Sequence, residues 1–287
     1  MPASRGPRLA IVGAALGAAV LITGRLKQGG APPLLMAAPP TRPTKVGVLL
    51  AGVGTAGTST PGGQRNVGRL FAELLAESGA DVGCIARSAA AAEELEAAGL
   101  RVVGTGDLTD ATFAAEVLEK ARPLTLFTAV GGKDATGGRV DGVANINLFR
   151  AAAAVRAPPH VVFVTSWGCG ETFDFLDDGT RKILGPALRA KTEAEAFLRG
   201  TGLKHMIVRP GGLMPSTEPA TKRGVLIRDR PDVGGAIRRQ DLAQMLLWLP
   251  RRAETNGLAV TALDVDMLRA KTPLKDEDLV PLAAPGE

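Results

Sequence analysis

From residue 46 onward, short apolar runs alternate with segments in which apolar residues recur every three or four positions. The run at 46–51 has the composition of a buried parallel strand, and the segment at 66–78 has apolar residues at helical spacing. Gly79 follows that segment, as a helix C-cap residue does. The pattern predicts strands at 46–51, 81–86, 100–103, 124–130, 160–165, 205–209, 225–227 and 258–263, and helices at 66–78, 89–98, 112–121, 140–156, 189–199 and 240–249.

Alternating strands and helices of these lengths indicate βαβ units, and βαβ units build a parallel sheet covered on both faces. Right-handed crossovers then give a doubly wound sheet of the Rossmann type. We therefore predict the α/β class, with a single domain at 45–268. The polar, proline-containing tail at 269–287 is expected to be irregular.

Composition excludes several kinds of site. With two cysteines, Cys84 and Cys169, the chain can form neither a disulfide scaffold nor a cysteine-rich zinc site. Its two histidines make a histidine-based metal cluster unfavourable, so we predict no metal. Six of the 34 basic residues and none of the 29 acidic residues precede Val46, so the rest of the chain is close to neutral. With aromatic residues at 3%, the pattern speaks against nucleic acid as a partner.

The first 44 residues differ in character from the rest. The apolar run from Leu9 to Thr23 has basic residues on both sides, and the first acidic residue is Glu73. Fifteen residues fall short of the roughly 20 that a bilayer-spanning helix needs, and they match the length of a signal-peptide core. A targeting presequence, a retained membrane anchor and a disordered tail are the alternatives. The presequence is favoured, with an organelle and above all the plastid as destination.

The stretch from His160 to Leu213 reads HVVFVTSWGCG and then RAKTEAEAFLRGTGLKHMIVRPGGL, with a linking segment between them. It resembles the second half of an atypical short-chain dehydrogenase/reductase of the NmrA-like branch of NAD(P)-binding proteins. The resemblance covers roughly 45–263. It implies a dinucleotide as ligand, with NADP as the expected cofactor and NAD as the alternative.

A glycine-rich loop follows the first predicted strand. Glycines at such a place permit a tight turn and let backbone N–H groups approach a pyrophosphate at a helix N-terminus. Gly52, Gly54 and Gly68 are the candidates, but Gly52 and Gly68 stand farther apart than the family's usual turn allows. Either the extra residues bulge away from a retained phosphate site, or the loop sequence has diverged and its phosphate site is weak or lost.

Three more residues lie at or just after the ends of predicted strands, at the edge where a cofactor would lie. Arg87 can pair with the ribose 2′-phosphate of NADP, whereas NAD-selective sites prefer an acid there. Asp107 resembles the family residue beside the adenine, and Ala129 belongs to a run of small residues that would let a cofactor approach. The alternatives are a surface arginine, a turn or N-cap aspartate, and a plain turn.

The resemblance also supplies candidates for catalysis. Ser166 and Lys191 match the serine and the lysine of the family's catalytic centre, and Lys191 would also hold the nicotinamide ribose. Pro210 and Gly211 match the turn whose backbone faces the nicotinamide. The family's tyrosine lies four residues before the lysine, but that position is Ala187 and the chain has no tyrosine.

Two functions follow from this pattern. One is an NADP-dependent oxidoreductase in which water, the substrate or Ser166 supplies the proton. The other is a non-catalytic accessory subunit or assembly factor of an organellar membrane complex, photosynthetic or respiratory. The missing tyrosine, the long glycine loop and the apolar leader favour the second function.

Overall fold

The structure of the protein is a computed structural model, and it describes residues 47–54, 65–134, 136–215, 217–249 and 255–282. The predicted leader at 1–44, with its apolar run, lies outside the described residues. So does much of the predicted phosphate loop, at 55–64.

The described residues form the following strands and helices. The strands are β1 Val48–Ala51, β2 Val82–Ala86, β3 Val102–Thr105, β4 Thr125–Thr128, β5 His160–Val164, β6 His205–Pro210, β7 Gly212–Met214, β8 Gly224–Ile227, β9 Ala236–Arg238, β10 Ala259–Asp264 and β11 Leu279–Val280. The helices are α1 Val67–Glu77, α2 Ala89–Ala97, α3 Ala111–Ala121, α4 Val143–Ala154, α5 Asp178–Gly200 and α6 Arg239–Leu247.

Nine of these strands form one sheet in the order β11-β8-β10-β6-β5-β4-β1-β2-β3. The strands from β10 to β3 are parallel to their neighbours, and β8 pairs antiparallel with both β10 and β11. From β1 the chain adds strands β2 and β3 on one side, and from β4 onward it adds strands on the other side. The order in which strands are added therefore changes between the neighbouring strands β1 and β4. In open α/β sheets, this switch point is where ligands bind.

Apolar side chains cover both faces of the sheet. In β1, Val48 and Leu50 belong to the core on the side of α1 and α6, whereas Leu49 and Ala51 belong to the core on the side of α3, α4 and α5. Successive side chains of a strand point to opposite faces, so a strand that is buried throughout is covered on both. The predicted doubly wound Rossmann-type α/β fold is confirmed.

Helix α5 begins earlier than the sequence pattern predicts. We predicted a start at residue 189. The helix begins instead at Asp178, since the Asp177 carboxylate accepts a hydrogen bond of 2.8 Å from the backbone N–H of Thr180 and caps it. The cap extends α5 over 23 residues with Pro186 inside it.

The tail also differs from expectation. We expected irregular chain after residue 268, but Leu279 and Val280 pair with β8 as the edge strand of the large sheet. Val280 is buried in the core beside α6. The end of the described chain thus takes part in the fold.

Within the part of the chain that is described, no helix combines the length and the apolar character needed to cross a membrane.

Candidate dinucleotide site

The three predicted glycines meet at the carboxyl end of β1. Gly52 has a φ of +81°, and a Cβ atom there would lie 2.5 Å from the carbonyl carbon of Ala129. A Cβ atom on Gly68, in the first turn of α1, would lie 2.4 Å from the carbonyl oxygen of Gly52. Gly54 also has a positive φ, of +47°. No residue with a side chain fits at Gly52 or Gly68 without moving backbone, so strand and helix approach as closely as a dinucleotide fold requires.

Asn66 ties the start of α1 to this loop. Its side-chain oxygen accepts from the N–H of Arg69 at 2.8 Å, and its amide nitrogen donates to the carbonyl oxygen of Gly52 at 3.2 Å. Asn66 therefore caps the helix and fixes the loop with one side chain. Asn66 was not among the predicted site residues, although an asparagine directly before an apolar helical segment is an N-cap signal.

A cavity of about 410 Å³ opens beside these glycines, between the ends of β1, β2, β3 and β4. Its volume lies within the range of small-molecule sites. Its lining includes five of the predicted cofactor residues, which are Gly52, Gly54, Arg87, Asp107 and Ala129. The cavity lies at the switch point of the sheet, so its place and its lining fit a dinucleotide.

The polar groups of the cavity come from three strand ends. Arg87 follows β2 and is exposed, and its Nη1 donates to the carbonyl oxygen of Lys133 at 3.3 Å. Asp107 follows β3, and its carboxylate accepts from the N–H of Thr109 at 2.8 Å. Asp107 is thus a turn aspartate that also lines the cavity, while Asp110 caps α3. Lys133 was not among the predicted site residues, because only the fold brings it to Arg87.

Buried side chains fix the segment that follows β4. The Asn145 amide donates to the carbonyl oxygens of Val130 and Asp141 at 3.1 and 2.7 Å, and the Thr128 hydroxyl donates to the Asn145 side-chain oxygen at 2.6 Å. The Asp141 carboxylate accepts from Arg139 at 2.8 Å. This wall of the cavity is thus held by a group of buried and part-buried hydrogen bonds.

The two predicted catalytic residues lie beyond this cavity, at the end of β5. The Lys191 Nζ donates to the carbonyl oxygen of Thr165 at 3.3 Å, so its ammonium group is beside the residue that precedes Ser166. The Ser166 hydroxyl donates to the carbonyl oxygen of Trp167 at 3.0 Å. Ala187 is one helical turn before Lys191 in α5 and has no group that could transfer a proton.

Gly131 connects the cavity to Lys191. It lines the cavity, and a Cβ atom on it would lie 3.5 Å from the Lys191 Cε and 2.7 Å from an Asp141 carboxylate oxygen. A ligand that extends from the cavity past Gly131 would therefore come to Lys191. The catalytic and cofactor roles of these residues stay predictions.

A buried ion-pair network supports the end of β5. Arg209 donates to both oxygens of the Glu195 carboxylate, and the Thr165 hydroxyl donates to the same carboxylate at 2.7 Å. Arg209 also binds Glu171 at 2.6 Å. Burial lowers the pKa of Arg209, but the hydrogen bonds to Glu195 and Glu171 outweigh it and hold the pKa above its ordinary value. Glu195 lies one turn after Lys191, so the network fixes both Thr165 and that face of α5.

Pro210 and Gly211 have a different setting from the other predicted cofactor residues. A Cβ atom on Gly211 would lie 2.5 Å from the carbonyl oxygen of Gly235, and Gly211 donates its N–H to Ala262 at 3.1 Å. Pro210 accepts from the N–H of Trp167 at 2.7 Å. The contacts of this turn are with the protein itself, and neither residue lines the cavity.

Neither cysteine is suited to chemistry. Cys84 and Cys169 are fully buried. Burial raises the pKa of the Cys84 thiol to about 11 and that of the Cys169 thiol to about 12. Both thiols are therefore neutral and inaccessible near neutral pH.

Solved structures with the same fold include reductases. An anaerobilin reductase, ChuY of Escherichia coli O157:H7, is 28% identical with a TM-score of 0.64, over 79% of this chain and 99% of that one. ChuY of E. coli CFT073 is 25% identical with a TM-score of 0.59, over 77% and 97%. A wide-type short-chain dehydrogenase/reductase of Veillonella parvula in complex with NADP is 12% identical with a TM-score of 0.53, over 75% and 93%, and it shows the fold alone.

Sequence comparison gives the family. No curated protein sequence matches this chain. The model of a family described as NAD(P)H-binding matches residues 62–249, which is more than half of the chain and includes most of the cavity lining. The protein belongs to the NAD(P)H-binding family, and the predicted resemblance to NAD(P)-binding proteins is confirmed.

Proposed function

We propose that the protein is an NADP(H)-dependent oxidoreductase that works without the tyrosine of ordinary short-chain reductases. The observation that carries the proposal is the cavity at the switch point, which lies beside the close approach of Gly52 and Gly68 and is lined by Gly131, a neighbour of Lys191. Similarity to an anaerobilin reductase at 28% identity supports the reductase class.

The cofactor preference rests on Arg87. A guanidinium at the end of the second strand binds a phosphate through charge-assisted hydrogen bonds, whereas a carboxylate there would repel it. The pyrophosphate would lie against the glycine loop and the start of α1, where backbone N–H groups and the helix dipole favour negative charge. The guanidinium favours NADP over NAD, whereas the glycine loop and the helix start would bind the pyrophosphate that both nucleotides share.

NADPH, when bound, supplies a hydride. The chain's own contribution at that end is the Lys191 ammonium, held against the carbonyl oxygen of Thr165, and the Ser166 hydroxyl beside it. Ala187 holds no proton to transfer, so the proton that completes the reduction of a carbonyl comes from water, from the substrate or from Ser166. Lys191 then acts by charge, which stabilises an oxygen that becomes negative.

The test is binding followed by turnover. The purified protein is titrated with NADPH and NADH by nucleotide fluorescence, and NADPH oxidation is then followed with a panel of aldehydes, ketones, quinones and flavins. Micromolar binding of NADPH with turnover of any panel member supports the proposal. Absence of binding to both nucleotides overturns it, and tight binding without turnover on a broad panel would favour the accessory role instead.

The first prediction concerns Arg87. Arg87→Glu replaces the cation beside the 2′-phosphate with an anion, so the dissociation constant of NADPH should rise by at least about a hundredfold. That of NADH should change by less than about threefold, because NADH has no 2′-phosphate. Arg156→Glu, an exposed arginine outside the cavity, is the matched control and should leave both constants unchanged. An equal loss for NADPH and NADH would remove the assigned role.

We also propose, from the sequence alone, that the protein is delivered to an organelle. The basic, apolar leader at 1–44 supports delivery to an organelle, with the plastid favoured, and a membrane complex as partner would follow from that address. The subcellular localisation can be tested by imaging a fluorescent protein fused after the C-terminus.

A further inference from the structure

We infer that Lys133 is a second specificity-determining residue, which binds the 2′-phosphate of NADP together with Arg87. The inference rests on the proposed function and adds a residue to it. Lys133 is on the segment after β4. It is far in sequence from the end of β2, where a residue usually binds this phosphate.

The fold brings the two cations to one corner of the cavity. Both residues belong to the cavity lining, and the Arg87 guanidinium donates to the Lys133 carbonyl oxygen at 3.3 Å although 46 positions separate them. Both residues are exposed, so their charged ends can reach a ligand. Arg87 therefore comes from the β2 side of the cavity and Lys133 from the β4 side.

These two cations have no carboxylate partner among the described residues. By contrast, Arg139, on the segment that carries Lys133, is paired with Asp141 at 2.7 Å. Two like charges at one corner repel each other unless an anion lies between them. This corner therefore favours an anionic ligand.

The acidic groups of the cavity are engaged elsewhere. Glu94 is 3.9 Å from Arg69, and the Asp107 carboxylate accepts the N–H of Thr109. Ser88 caps α2 by accepting from the N–H of Ala91 at 3.2 Å, which leaves its hydroxyl proton for an acceptor. The corner thus offers an anion two cations, a hydroxyl donor and the start of a nine-residue helix.

Lys133 is presented by a segment with defined structure. It forms an antiparallel bridge with Arg139, and the Asp134 carboxylate accepts from the N–H groups of Thr136 and Gly138, each at 2.8 Å. The backbone of Gly132 donates to the buried Asp141 carboxylate at 3.3 Å. The backbone that positions the lysine is therefore fixed on both sides, which lowers the entropy lost when the lysine binds a phosphate.

The position in the fold identifies which phosphate this is. The pyrophosphate site is at the glycines after β1, whereas the Arg87–Lys133 corner is at the end of β2 and the start of α2. In a dinucleotide fold, the adenosine ribose lies at the end of the second strand. The anion that fits the corner is the monoester phosphate on that ribose.

The experiment measures nucleotide preference in Lys133→Gln, Lys133→Arg and the control Lys120→Gln, which changes an exposed lysine on α3 outside the cavity. Dissociation constants are measured for NADPH and NADH, and for 2′,5′-ADP and 5′-AMP, which differ in the 2′-phosphate alone. Lys133→Gln should weaken NADPH and 2′,5′-ADP by about tenfold while NADH and 5′-AMP change by less than about twofold. Lys133→Arg should keep the wild-type preference, and Lys120→Gln should behave as wild type.

The outcomes separate the two proposals. If the wild-type protein binds neither NADPH nor NADH, the proposed function fails, and this inference fails with it. If the wild type prefers NADPH and Lys133→Gln keeps that preference, the inference is overturned while the proposed function stands. Equal weakening of all four nucleotides by Lys133→Gln also overturns it, because such a loss reports on the cavity wall and not on the 2′-phosphate.

Discussion

Arg209 is the largest fully buried side chain among the described residues, and its two carboxylate partners differ sharply in exposure. The Glu195 side chain is 3% exposed and that of Glu171 is 60% exposed. A buried charge that loses its partner is strongly destabilising, whereas an exposed partner contributes little because water screens it. The two carboxylates should therefore contribute unequally to stability.

Glu195→Gln should lower the free energy of unfolding by about 3 kcal/mol. Glu171→Gln, a change of the same chemistry on the same arginine, should lower it by less than about 1 kcal/mol. Urea unfolding followed by circular dichroism measures both values. Equal losses in the two variants would show that burial does not decide the strength of this network.

The pKa of Glu171 gives the sign of the pH dependence. Burial raises the pKa of Glu171, but the hydrogen bond from Arg209, a backbone hydrogen bond and the charges of Arg209 and Arg199 lower it more. The pKa of Glu171 therefore lies below its ordinary value. A carboxylate with a lowered pKa in the folded state contributes stability above the unfolded pKa and loses it as the pH falls through the folded pKa. The Glu171 contribution is thus present at neutral pH and lost in acid.

Part of the site can be predicted from single residues and their positions in the sequence. Gly52 and Gly68 were predicted because glycines permit a tight turn and a close approach of backbone to a pyrophosphate. In the structure, a Cβ atom added to either residue would lie 2.5 or 2.4 Å from backbone. Arg87 was predicted because its position directly follows a strand. Lys133 and Glu195 could not be found in this way, since their partners are 46 and 14 residues away in sequence and meet them only in the folded chain.

At the scale of elements, the packing of α1 against β1 depends on one glycine. A Cβ atom on Gly68 would meet the Gly52 carbonyl oxygen at 2.4 Å, and backbone on both sides leaves no flexible side chain to give way. Gly68→Ala should push α1 from the loop, lower the free energy of unfolding by about 2 kcal/mol and weaken NADPH binding at least tenfold.

Gly200 is the matched control for Gly68. It is also helical, but no atom lies within 4 Å of its added Cβ. Gly200→Ala should leave NADPH binding unchanged and raise stability by up to about 1 kcal/mol, because alanine is the better helix former. Thermal unfolding and nucleotide titration of the two variants check the pair. If Gly68→Ala proved as harmless as Gly200→Ala, the close approach of α1 would not matter to the site.

The elements that the sequence predicted well are those with strong local patterns. Buried strands such as β5 and β6 are continuous apolar runs, and their predicted bounds differ from the observed ones by one residue each. The predicted start of α5 was wrong, since the helix begins after the cap that Asp177 forms and continues through Pro186. Strands β7 and β9 were not predicted, since each has three residues and exists through its pairing with the other.

At the scale of the whole molecule, the sheet separates the nucleotide cavity from the edge formed by the tail. Five strands lie between β11 and β1. With neighbouring strands about 4.8 Å apart, the edge is roughly 29 Å from the glycine loop. Val280, buried in that edge strand, should therefore matter for stability and not for binding.

Val280→Asp would bury a carboxylate without a cation partner, so the free energy of unfolding should fall by about 3 kcal/mol or more. In the fraction that stays folded, the dissociation constant of NADPH should equal that of the wild type, because the cavity lining comes from β1 to β4 and the segments that adjoin them. Val280→Ala, which removes apolar contacts without adding charge, should show a smaller loss of stability and the same binding. A tenfold rise in the NADPH constant for folded Val280→Ala would mean that the far edge and the switch point are coupled through the sheet, and the sheet could then no longer be treated as a rigid support for the site.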